Sequence, residues 1–230
     1  MTSVEPLIAA ARTDPRLVLL EGFHALKHAL RFGAEVLVAV SADPDGLAAL
    51  AAELAPDVDF GAVERVAPSL LGSRPHHTQV LAVARRPAFD GAALGQGHVV
   101  LLEDPRQLGN VGAVVRVAAA AGAAGVLTTG ERDPWDPAAL RGSAGLHFAL
   151  PVGRGGPGDL AGRPLVALDP AGDALGTVPA DALLAFGTER HGLSDALLAR
   201  ADARVAIPMR PGVSSLNLAT AVAVVLYAGR

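Results

Sequence analysis

The stretch His98-Val-Val-Leu-Leu-Glu-Asp-Pro-Arg-Gln-Leu-Gly-Asn-Val-Gly-Ala-Val-Val-Arg116 decides the fold. Its first five residues are apolar on both alternating faces after His98, which is what a strand buried on both sides requires. Pro105 and Gly109 then turn the chain, and an Ala/Val-rich helix is expected from about Val111 to Ala121. An apolar strand running straight into a helix predicts a parallel sheet covered by helices.

Downstream, the same reading predicts strands at Gly125–Thr128, Leu165–Leu168, Leu183–Phe186 and Ala203–Ile207. Helices are expected near Pro137–Gly142, Ser194–Arg200 and Ser215–Tyr227, and Gly153–Gly162 reads as a loop. Upstream, strands are expected at Leu17–Leu20, Val36–Val40 and Val80–Val83, with helices at Gly22–Phe32 and Gly46–Leu54. Between the halves, Ala84–Gly97 holds Pro87 and three glycines without periodicity, which predicts two domains, residues 1–90 and 97–230.

Composition excludes several classes of function. With 51% apolar and 18% charged residues, the 230-residue chain buries a core and is not disordered throughout. It has no cysteine, so disulfides, thiolate metal sites and cysteine nucleophiles are excluded together. The apolar stretch Leu218–Ala228 is about half of the roughly 20 residues that a membrane span needs. Glu5 and the absence of a basic, apolar leader predict no secretory signal, hence a cytoplasmic protein. A net charge of −4 means that any polyanion must be held by a local cluster of basic groups.

Three segments carry chemistry. In the first, Asn110 suits a helix cap or a ligand hydrogen bond, and Arg116 lies about two turns inside an apolar helix. A guanidinium there either reaches solvent or meets an anionic partner. The second, Leu184-Ala-Phe-Gly-Thr-Glu-Arg-His-Gly-Leu-Ser194, follows a strand with a loop bracketed by Gly187 and Gly192. Ser194 is expected to cap the next helix with Asp195 in its first turn. This loop lacks the G-x-G-x-x-G spacing of a dinucleotide site, which disfavours an oxidoreductase. The third, Val205-Ala-Ile-Pro-Met-Arg-Pro-Gly-Val-Ser-Ser-Leu-Asn-Leu-Ala219, offers Ser214 and Ser215 as caps of the last helix. Asn217 within a first turn is poor for helix propensity, so a ligand or backbone partner is expected for it.

In this order, Asn-x5-Arg, Gly-x-Glu-x-x-Gly-Leu and Ile-Pro-Met-x5-Ser-Leu-Asn resemble the signature motifs of the SpoU/TrmH RNA ribose methyltransferases, within the SPOUT superfamily. The resemblance covers residues 97–230. Leu20-Glu-Gly-Phe-His-Ala-Leu-Lys-His-Ala-Leu30 and His76-His-Thr-Gln-Val-Leu-Ala82 are similar to parts of the family's small ribosomal-protein-like RNA-binding domain. The resemblance implies an α/β fold whose C-terminal parallel sheet holds a deep trefoil knot. It implies S-adenosylmethionine as cofactor and transfer of its methyl group to a ribose 2′-hydroxyl of structured RNA; the seven histidines show no ligand spacing, so no metal is expected. Gly187, Ile207, Met209 and Leu216 would contact the cofactor. Arg116, Asn110, Glu189, Ser215 and Asn217 would form the catalytic set.

The arginines flanking these segments and closing the first domain, namely Arg74, Arg85, Arg86, Arg141 and Arg190, are the candidate RNA contacts. With 3% aromatics, recognition by phosphate contacts and RNA shape is expected over base stacking. The resemblance implies a homodimer through the catalytic domain and no membrane association. The extra N-terminal domain favours rRNA over tRNA; the alternatives are a tRNA 2′-O-methyltransferase or a non-catalytic relative that binds RNA or cofactor. Family members often have Asp-Pro-x directly before the first-motif Asn, whereas Gln107-Leu-Gly109 stands here, similar to the antibiotic-resistance branch.

Overall fold

A computed structural model describes residues 4–72, 76–160, 162–188 and 191–228. The chain forms two compact units, one of Met1–Ala88 with Ala144–Ala149 and one of Phe89–Ser143 with Leu150–Arg230.

The first unit contains α1 (Val4–Ala10), β1 (Leu17–Glu21), α2 (Phe23–Arg31), β2 (Val36–Ser41), α3 (Pro44–Leu54), β3 (Glu64–Arg65) and β4 (Val80–Arg85). Its sheet order is β1-β4-β2-β3, antiparallel except for the short β2–β3 pair. In α2, Phe23, Leu26 and Ala29 recur on one face and are fully buried. Its end is set by Gly33, whose φ of 74° permits the reversed turn in which Gly33 N–H donates to Leu30 and Ala34 N–H to Ala29. Asp43 caps α3 by accepting from Gly46 N–H at 3.1 Å, with Pro44 in the first turn.

The segment Ala144–Ala149, from the second half of the sequence, is built into this first unit. His28 Nδ1 lies 2.7 Å from the Ala144 carbonyl oxygen, and Gly145 passes so close to Ala25 that a Cβ would sit 2.5 Å from its carbonyl oxygen.

The second unit contains β5 (Val99–Leu102), α4 (Leu108–Ala120), β6 (Gly125–Thr128), α5 (Pro137–Ser143), β7 (Val152–Arg154), β8 (Leu165–Ala174), β9 (Leu183–Phe186), α6 (Asp195–Arg200), β10 (Ala203–Ala206) and α7 (Leu218–Tyr227). Its strands form one parallel sheet in the order β10-β8-β9-β5-β6-β7. The α/β class and the parallel sheet expected from the sequence are thus borne out. β5, β6 and β9 are buried at every residue, as a sheet covered on both faces demands. Val99, Leu101, Leu127, Leu183 and Ala185 share a core with Leu197 of α6. The alternate residues Val100, Leu102, Val126 and Leu184 are equally buried.

Several expected boundaries need correction. The helix after β5 starts at Leu108 with Gln107 as its cap, so Asn110 lies within the first turn. The last helix starts at Leu218, and its cap is Asn217 rather than Ser214 or Ser215. The expected loop Gly153–Gly162 instead contributes to the edge strand β7 and to a short 3-10 turn, Pro157–Leu160, with Leu160 buried. Gly153 belongs in that strand because the Phe89 ring covers it, leaving 2.2 Å for a Cβ.

α4 and α5 meet through glycine. A Cβ on Gly112 would lie 2.1 Å from the Ala139 carbonyl oxygen, and one on Gly142 would lie 2.8 Å from that of Gly109. Backbone cannot yield as a side-chain tip does. Gly112→Ala is therefore expected to cost roughly 2 kcal/mol, read as a lowered urea midpoint with unchanged slope.

Desolvation holds His28 below its ordinary value of 6.5, with the hydrogen bond to Ala144 opposing the shift. The unfolded chain then binds the extra proton first as pH falls. Stability is present above pH 6.5 and declines on acidification below it. His28→Asn, which keeps a donor for Ala144, is expected to flatten that decline in urea titrations compared between pH 7.5 and about 5.5.

Candidate active site

The parallel pair β5–β9 aligns Leu102 with Phe186, so the first and second motifs leave the sheet side by side. Chain order reverses here, with β6 on one side of β5 and β9 on the other, and such switch points open crevices at the carboxyl ends of strands.

The loop after β9 closes on itself. Thr188 N–H donates to the Gly192 carbonyl and Gly192 N–H to the Thr188 carbonyl, both at 3.1 Å. Gly192 adopts φ 66°, and a Cβ on Gly187 would lie 2.0 Å from the Gly192 carbonyl carbon. Only glycine fits at position 187. Ser194 caps α6 as expected, accepting from Leu197 N–H at 3.2 Å, with Asp195 in the first turn. Glu103, at the end of β5, fastens this loop: its carboxylate accepts from Ser194 Oγ at 2.6 Å and from Ser194 N–H at 2.7 Å.

A cavity of about 340 Å³ opens between this loop and the turn that precedes α7. Gly187 and Thr188 form one wall, Ile207 and Met209 a second, and Ser215 and Leu216 a third. The four expected cofactor positions, Gly187, Ile207, Met209 and Leu216, therefore come together, with Ser215 among them. A second cavity of about 650 Å³ lies across the loop, lined by Glu103, Asp104, Arg106, Gln107, His191 and Ser194, and shares Thr188 and Gly192 with the first.

The remaining candidates fall as follows. Asn217 Oδ1 accepts from Ala219 N–H at 3.0 Å and Thr220 N–H at 3.4 Å, while its Nδ2 reaches Asn110 Oδ1 at 3.5 Å. The first and third motifs are thus linked through two amides, and the partner of Asn217 is backbone together with Asn110. Arg116 is exposed on α4 and lines neither cavity. Glu189, Arg190 and Arg74 lie outside the described residues.

Arg85 ends β4, exposed, with its Nε 2.8 Å from Glu35 Oε1; Arg86 is half-buried, and Arg141 is exposed on α5. Among the described residues no group of three or more His, Cys, Asp or Glu is placed to hold a metal ion.

Sequence reasoning missed one wall. Leu168, Asp169 and Pro170 line the 340 Å³ cavity opposite the motifs. The available signal was a turn sequence, Asp169-Pro-Ala-Gly172, at the carboxyl end of an apolar strand.

The sequence model of the SpoU rRNA Methylase family matches residues 97–227, more than half of the chain. The chain belongs to the SpoU rRNA methylase family. A 23S rRNA (adenosine(1067)-2′-O)-methyltransferase of Streptomyces azureus is 30% identical to it over 234 residues, covering 94% of this chain and 87% of that protein. A 23S rRNA (uridine(2479)-2′-O)-methyltransferase of Streptomyces viridochromogenes is 36% identical over 170 residues, 65% of this chain and 58% of that protein. In three dimensions, the SpoU methyltransferase AviRb of Streptomyces viridochromogenes, solved in complex with AdoMet, superposes with a TM-score of 0.80 at 30% identity. That comparison covers 100% of this chain and 97% of AviRb. The resemblance read from the three segments is borne out, and the second and third of them line the 340 Å³ cavity.

The Glu103–Ser194 clasp joins segments far apart in sequence. Glu103→Ala removes two charge-assisted hydrogen bonds from a partly solvated site, with an expected loss of about 1 kcal/mol. Faster hydrogen exchange at the amides of Ser194 and Leu197 is the measurement that localises the effect.

Proposed function

We propose that this chain transfers the methyl group of S-adenosylmethionine to a ribose 2′-hydroxyl of rRNA. The observation that carries this reading is the convergence of Gly187, Ile207, Met209, Ser215 and Leu216 on one cavity at the carboxyl ends of a parallel sheet. The cavity suits a nucleoside-bearing cofactor: its walls are mostly apolar, with a few polar groups such as Thr188, Ser214 and Ser215 among them. The rRNA-acting relatives support the choice of RNA.

S-adenosylmethionine supplies an activated methyl group with its own leaving group, so the protein aligns the reactants and manages one proton. Arg116 serves this reaction electrostatically. As a planar, multi-donor cation, its guanidinium stabilises the developing alkoxide or the neighbouring phosphate. The Asn110–Asn217 link fixes the start of α4 against the start of α7 and so holds the helix that carries Arg116. Glu189 and Ser215 complete the catalytic set.

In this reading the motif loops of residues 187–193 and 207–217 belong to a deep trefoil knot. Residues 97–230 are the catalytic domain and residues 1–90 the rRNA-binding domain. Arg85 and Arg86 at the end of β4, together with Arg74, Arg141 and Arg190, contact phosphates. The catalytic domains pair as a homodimer, for which the exposed Val224 and Tyr227 of α7 provide apolar surface. In this reading the enzyme works in the cytoplasm, on rRNA.

Incubation of the protein with methyl-labelled S-adenosylmethionine and protein-free rRNA or tRNA tests this reading, with 2′-O-methyl sites mapped by reverse-transcription stops. Label on rRNA ribose is expected; label on a base, on tRNA alone or on neither RNA overturns it. Gly187→Ala forces the 187–192 loop apart and is expected to weaken cofactor binding by about tenfold or more. Arg116→Lys is expected to lose about a hundredfold in single-turnover rate while binding cofactor normally.

A further inference from the structure

Asp169 is the one charged side chain among the described residues that line the 340 Å³ cavity. It is carried there by a break in register. Arg204 of β10 pairs with Ala167 of β8, but the next residue, Val205, pairs with Asp173, so residues 168–172 bulge out of the β8–β10 ladder. Gly172 permits the return, since a Cβ there would lie 2.6 Å from the Arg204 carbonyl carbon. Asp169 Oδ1 accepts from Ala171 N–H at 3.1 Å. Its Oδ2 faces Arg204 Nη1 at 3.8 Å, beyond hydrogen-bond reach, and the Asp169 side chain is only 17% exposed while that of Arg204 is 47% exposed. A carboxylate is therefore held in a largely apolar cavity with an incomplete, solvated counter-charge.

Resting on the methyl-donor reading above, we propose that Asp169 makes this cavity tell the donor from its spent product by charge. Transfer breaks the S–CH3 bond as the methyl carbon bonds to the ribose oxygen. The bonding pair stays on sulfur, and the hydroxyl proton leaves to solvent. The sulfonium becomes a neutral thioether, while the adenosine and amino-acid parts are unchanged. Shape then separates the two by a single methyl group, whereas charge separates them by a full unit. A carboxylate in the cavity holds the cationic donor and releases the neutral product, which turns the chemistry itself into the signal for exchange. Asp169 is in this sense a donor-discriminating residue that takes no part in proton transfer. Its attraction weakens as the methyl leaves, so it favours binding rather than the chemical step.

Calorimetric titration of the full chain with S-adenosylmethionine and S-adenosylhomocysteine provides the test, using the wild type, Asp169→Asn and Arg204→Gln. Asparagine keeps an acceptor for Ala171 N–H, and thermal unfolding of the unliganded variant verifies that the loop survives. Asp169→Asn is expected to weaken donor binding about fivefold, equivalent to ~1 kcal/mol, and to leave product binding within about twofold. Arg204→Gln removes the counter-charge and is expected to move the donor-to-product preference the opposite way. An unchanged preference in Asp169→Asn, or parallel weakening of both compounds, overturns the proposal and leaves Asp169 a structural residue. A wild type that binds neither compound overturns the methyl-donor reading and this inference with it.

Discussion

Everything in the catalytic half depends on β5 lying beside β9. These strands are separated by some eighty residues of sequence, yet their pairing puts Glu103 within reach of Ser194 and the first motif beside the second. Both strands are buried on both faces, so their pairing is driven by apolar burial and locked by a ladder that water cannot enter. The polar clasp adds little energy compared with that burial. It adds position: it seats the start of α6 beside the end of β5.

Closeness of backbone to backbone is the second theme. Gly187 against Gly192, Gly112 against Ala139 and Gly172 against Arg204 are contacts that any side chain would prevent. Each trades conformational freedom in the unfolded chain for a close approach of one backbone segment to another.

Much of this was legible in the sequence, and the misses have common causes. The strands at Gly125–Thr128 and Leu183–Phe186 follow from unbroken apolar runs, and four cofactor candidates came from the motifs. The starts of α4 and α7 were misplaced because each is preceded by several residues capable of capping. Local propensity does not rank Ser214, Ser215 and Asn217, whereas the reach from Asn217 to Asn110 does. The excursion carrying Asp169 was hidden because it is a property of register against β10, which no window around residue 169 contains. Gly153 looked like loop because the ring that makes glycine necessary there, Phe89, is far away in sequence.

The short segment Ala144–Ala149 has a bearing on biogenesis. The first unit is assembled from two separate stretches, and its second piece arrives only when synthesis has passed Ala149. A nascent chain emerging from the ribosome exposes the His28 and Ala25 face until then, with β5, α4 and β6 already made. The amino-terminal unit therefore matures alongside the carboxyl-terminal one rather than ahead of it. Cutting the gene between them yields a fragment missing part of its own wall.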